Sequence, residues 1–171
     1  MKRTKKFSFI LVIMLIVSMF PVTAFAISFK KVDLSKADLV LETSNPEIGI
    51  AFFIQDEVET RAYSTKTRTG TGYFYKTANG DKIADFNCTG TFSYDRIICN
   101  VTDVSTSVWN TISGYRITVS KSKNQISPTY ARATGVFKLY NLGIGDKLTA
   151  SATINVYCNQ NGTTSIEFNS D

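Results

Sequence analysis

Over Asp85–Asp103, Ala131–Leu139 and Leu148–Cys158 apolar and polar residues alternate almost one for one, and this period of two decides what the chain can become. Successive side chains of an extended strand point to opposite faces, so such a run makes one face for a core and one for water. Phe86, Cys88, Gly90, Phe92 and Tyr94 form one inward set, continued after a turn by Ile97, Cys99 and Val101. Asn87, Thr89, Thr91, Ser93, Asn100 and Thr102 form the outward set, with Ile98 as the one apolar exception. Leu148, Ala150, Ala152, Ile154, Val156 and Cys158 repeat the pattern, as do Ala131, Ala133, Gly135, Phe137 and Leu139. Tyr115, Ile117 and Val119 make a shorter inward set.

Turn residues cut this pattern into hairpins. Asn79-Gly80 joins Tyr73–Lys76 to Lys82–Phe86, and Asn161-Gly162 precedes a last short strand, Thr164–Phe168; both dipeptides tolerate positive φ. A third turn is expected at Asp95-Arg96, which sets Phe92 opposite Cys99 and Cys88 opposite Asp103. Short strands without helical periods between them predict an all-β antiparallel sandwich over residues 70–171. Residues 27–69 are an N-terminal segment of strands or linker: Ala37–Leu41 and Ile48–Ile54 are strand candidates, and Gln55–Thr69 is polar enough to be a linker or an exposed edge.

Residues 1–26 read as a cleavable signal peptide. Lys2, Arg3, Lys5 and Lys6 precede an apolar run from Phe7 to Phe20, Pro21 stops any helix, and Ala24-Phe25-Ala26 offers small residues at −3 and −1. Cleavage is expected between Ala26 and Ile27, leaving 145 residues, one secreted domain and no integral membrane segment. The whole chain has 19 Lys and Arg against 14 Asp and Glu; without the four signal cations the net charge is +1. Lys66, Arg68, Lys76 and Lys82 are interspersed with threonines and acids, so no nucleic-acid surface is expected.

Three cysteines in an exported chain allow one disulfide and one thiol. In the expected hairpin Cys88 lies four residues along the ladder from Cys99, about 13 Å away at strand rise. A bridge needs Cα atoms within roughly 7 Å. Cys158 is therefore a partner, preferably of Cys99, with Cys88 as the alternative.

The order Cys99, Trp109, Cys158 resembles the Cys…Trp…Cys pattern of immunoglobulin-like sandwiches, although Val156 occupies the place of their usual Tyr and Tyr157 adjoins the cysteine. That resemblance implies Trp109 packed in the core beside the disulfide. The segments Gly90–Tyr94, Ser105–Trp109 and Ala131–Leu139 also resemble small secreted proteins of Gram-positive bacteria, a group that implies no activity.

Catalytic chemistry is constrained by absence. There is no histidine, which removes Ser-His-Asp and Cys-His nucleophile systems and imidazole-built zinc sites. No metal site and no cofactor are expected. Asp81, Asp95, Asp103 and Asp146 fall at turns or strand ends, where Asp caps its own backbone. Tyr73 and Tyr75 on one strand face, with Trp109, are the candidate binding aromatics if exposed. The expectation is a secreted non-enzymatic β-sandwich with a binding or envelope role, its partner a cell-wall glycan or an extracellular protein. A membrane-active factor and a carboxylate glycosidase are the alternatives.

Overall fold

The computed structural model describes residues 31–55, 58–60 and 64–171, and the signal peptide and its cleavage point lie outside them. Ten strands follow one another: β1 Leu39–Glu42, β2 Ile48–Ile54, β3 Val58–Thr60, β4 Thr65–Lys76, β5 Lys82–Tyr94, β6 Cys99–Trp109, β7 Tyr115–Ser127, β8 Tyr130–Asn141, β9 Lys147–Asn159 and β10 Thr164–Ser170. Every strand pairing is antiparallel. The first sheet runs β1-β2-β4-β5-β6, with β3 also paired to β4; the second runs β10-β9-β8-β7. The all-β antiparallel sandwich is therefore what the chain adopts. Strand β4 crosses position 69, so the sheet extends into the stretch whose polar residues gave little sign of it.

The order of strands within each sheet is sequential, a meander. Immunoglobulin domains instead interleave strands of both sheets through Greek-key connections. Here β6 hands over to β7 at one seam, and β1 approaches β10 at the other, where the Ser170 hydroxyl donates to the Glu42 carbonyl. At the first seam Lys123 Nζ donates to the Thr102 carbonyl and Gln125 Nε2 to that of Cys99.

The core lies between the sheets. Phe52, Phe74, Phe86, Phe92 and Phe137 are fully buried. The Phe86 ring stacks on Phe137 of the opposite sheet at 4.6 Å and meets Phe74 at 4.7 Å. Each such ring contributes roughly 1.5–3 kcal/mol by leaving water. The sheets come closest where Cys88 faces Gly135: a Cβ there would stand 2.9 Å from Cys88 Cβ and 3.1 Å from its sulfur.

Three sequence expectations need correction. Cys99 pairs with Tyr94, not Phe92, because the turn spans four residues, 95–98. Asp95 closes it by accepting from the backbone N–H groups of Ile97 and Ile98, and these caps hold its carboxyl below the ordinary range. Ile97 is thereby held at the tip, 74% exposed. Val119 and Leu148, expected inward, are also exposed. Finally, Thr91 pairs with Asp103 but Phe92 with Val101, so Thr102 is an extra residue in β6. This β-bulge reverses which residues face the core: Cys99 and Val101 point inward before it, Val104 and Val108 after it.

Candidate functional site

The bulge at Thr102 moves Trp109 to the outside. Counted from Cys99 in steps of two, Trp109 belongs on the core face; with one residue inserted it emerges on the other. It is 39% exposed and pairs with Asp85, which in turn pairs with Tyr73. Tyr73, Asp85 and Trp109 thus form one cross-strand row on the outer face of the first sheet. The core position that the Cys…Trp…Cys resemblance implied is not occupied by this residue. Trp109 lies ten residues, roughly 33 Å at strand rise, along β6 from Cys99.

Asp85 is buried, 1% exposed, and fully engaged. One carboxylate oxygen accepts from Lys82 Nζ at 2.5 Å and the other from Asn110 Nδ2 at 2.6 Å. Asn110 reaches it from a backbone turned to φ 55° just past the end of β6. Lys82 also sits 3.9 Å from the centroid of the Tyr73 ring, a cation–π contact. Phe53 of β2 meets Tyr73 edge-on at 4.9 Å. Partial burial, then the negative charge of Asp85, raises the Tyr73 hydroxyl above its ordinary pKa, so it remains a donor near neutrality. Residues 31–36 pass alongside, and Lys31, Val32, Asp33 and Lys36 close a hollow of roughly 180 Å³ with Phe53, Tyr73 and Lys82.

The same face continues along the strands as hydroxyl pairs. Thr69 and Thr89 are hydrogen-bonded at 2.8 Å, Thr67 and Thr91 at 3.2 Å. Thr71, between Thr69 and Tyr73, is 3% exposed and its hydroxyl has no hydrogen-bond partner.

Of the candidate aromatics, Tyr73 and Trp109 are brought together. Tyr75 is not part of the exposed group: its ring lies over Gly49, which has no Cβ to obstruct it, and it is 6% exposed. Lys82, Asp85 and Asn110 escaped sequence reasoning. The alternating threonines from Thr65 to Thr71 were the available signal for the face, but no spacing rule links Asp85 to Asn110.

The cysteines are all buried and are thiols in this structure. Cys99 and Cys158 face each other in the core between the two sheets, their thiols 3.5 Å apart. Cys88 packs on Gly135, whose β9 partner is Ile154, four residues or about 13 Å along the strand from Cys158. Six residues of β5, roughly 20 Å, separate Cys88 from the partner of Cys99. Only the pair Cys99 and Cys158 has the geometry for a bridge.

Among the described residues no helix is long and apolar enough to cross a membrane. No family model, curated protein or solved structure matches the chain.

Proposed function

We propose that this chain is a secreted, non-enzymatic β-sandwich that binds a cell-envelope glycan on the outer face of its first sheet. The observation that carries the reading is the row Tyr73–Asp85–Trp109, with two partly exposed rings flanking a buried carboxylate. Aromatic faces stack on the C–H faces of sugars, while the phenol, the indole N–H and Asn110 offer hydrogen bonds to hydroxyls. Asp85 serves as the brace that fixes Lys82 and Asn110, so it is not assigned a catalytic part.

On export, Cys99 and Cys158 close to a disulfide. Each thiol loses its hydrogen, and the two electrons and two protons pass to a disulfide oxidant such as oxidised glutathione. The 3.5 Å approach of the thiols supports this pairing.

The test is binding of mature protein to an insoluble Gram-positive cell-wall preparation, with Trp109→Ala and Tyr73→Ala beside a Tyr75→Phe control. The first two should weaken retention at least tenfold and the control should leave it unchanged. Retention that is indifferent to both aromatic substitutions would remove this face from consideration. Leakage of dye from anionic liposomes, or release of reducing sugar, would favour the membrane-active or glycosidase alternative.

A further inference from the structure

The outer face of the second sheet carries a separate assembly of binding groups. Register places Ser122, Thr134, Asn155 and Glu167 in one row across β7, β8, β9 and β10. Beside it runs the row Arg132–Tyr157, and the Tyr157 ring lies parallel to that of Tyr130, 5.4 Å away and 9° from coplanar. The side chains are already oriented. Thr134 Oγ1 donates to Asn155 Oδ1 at 2.8 Å, and Tyr157 Oη donates to Glu167 Oε2 at 2.6 Å. Asn155 is 7% exposed, and Arg132 Nε is buried without a hydrogen-bond partner.

The chemistry of this face narrows the ligand. Arg132 and Glu167 balance each other, so an ionic ligand gains little net attraction. The Tyr157 bond, with help from Asn169 and Asn155 and the charge of Arg132, keeps the Glu167 carboxyl below its ordinary pKa and hence an acceptor near neutrality. The Asn155 amide both accepts and donates, the Glu167 carboxylate accepts and the Arg132 guanidinium donates, a set that together matches vicinal hydroxyls, and the paired tyrosines supply an apolar wall. Adjacent strands are about 4.8 Å apart, close to the length of one pyranose unit, so a chain lying across the strands meets one polar side chain per sugar.

We propose that this face is a second saccharide site, specific for a neutral oligosaccharide, and that one molecule therefore bridges two glycan chains. The site stands on the opposite sheet from the Tyr73–Trp109 row. Its ligand class follows from its own groups; the bridging role rests on the reading of the first face.

The experiment uses full-length mature protein, with cello-oligosaccharides and chito-oligosaccharides as soluble probes in calorimetry and agglutination of beads coated with the better probe. Wild type should bind two equivalents and agglutinate. Trp109→Ala, and separately Glu167→Gln with Tyr157→Ala, should each bind one equivalent and lose agglutination, with circular dichroism and melting temperature confirming the fold. Tyr157→Phe keeps the ring but loses the bond to Glu167, and should weaken the second site roughly tenfold without abolishing it. If Trp109→Ala alone removes all binding, the second site is refuted while the first stands. If only the Glu167 and Tyr157 substitutions matter, the first face is refuted and the second site stands without bridging. Binding of neither probe by folded wild type would overturn the second site.

Discussion

The thiols of Cys99 and Cys158 meet 3.5 Å apart where β6 begins in the first sheet and β9 ends in the second. Their bond would close a loop of about 60 residues and contribute roughly 4 kcal/mol by the loop-entropy estimate. Oxidised mature protein should weigh two hydrogens less than the reduced form, and non-reducing peptide mapping should recover a Cys99–Cys158 cross-link. Cys158→Ser should lower the melting temperature under oxidising conditions and have a smaller effect in reductant. A Cys88 cross-link in folded protein would contradict this geometry.

Cys88 behaves oppositely. Burial against Gly135 pushes its pKa up to about 12, with the charge of Lys121 pulling weakly the other way. The thiol should resist alkylation at pH 8 until the protein is unfolded. A group whose folded pKa is raised contributes its stability below the unfolded value, near 9.0, and loses it as pH climbs toward 12. Stability should accordingly fall between pH 9 and 12, and Cys88→Ala should flatten part of that decline in a denaturant titration.

Removing the carboxylate of Asp85 strands Lys82 beside Tyr73 with its side chain only 12% exposed. Asp85→Ala should cost about 3–5 kcal/mol, the range for breaking one side of a buried pair. Trp109→Ala, taking away a ring already partly in water, should cost much less. Chemical denaturation of the two variants checks this order.

Gly135→Ala introduces a methyl against Cys88 and the Thr106 methyl, the latter at 3.0 Å. Overpacking of this kind costs about 1–3 kcal/mol. The double variant Gly135→Ala with Cys88→Ala should recover part of that loss, because the sulfur is one of the atoms in the way.

Legibility followed the physics of alternation. From Ala150 to Cys158 in β9 the pattern holds, and Ala150, Ala152, Ile154, Val156 and Cys158 are all buried as their spacing implies, whereas Leu148, across the register shift at Thr149, is exposed. It fails where one residue is gained. Thr102 gives no chemical sign that it is a bulge, yet it decides that Trp109 points to water and Val108 to the core. The four-residue turn at 95–98 likewise shifts the partner of Cys99 by two positions. The start of β4 was illegible for another reason. Lys66 and Arg68 share the face of the glycines that follow, so an apolar-polar contrast never develops there. Inward placement of the three cysteines survived, since each lies in an unbroken stretch of its own strand.

The hydrogen bonds that Lys123, Gln125 and Ser170 send across the two seams occupy main-chain acceptors that a free sheet edge would offer to another chain. A protein built this way is guarded at these positions against fibril growth by strand addition even when crowded at high concentration. The same bonds oppose recognition by strand donation at those acceptors, which leaves the two outer faces as the broader surfaces on offer.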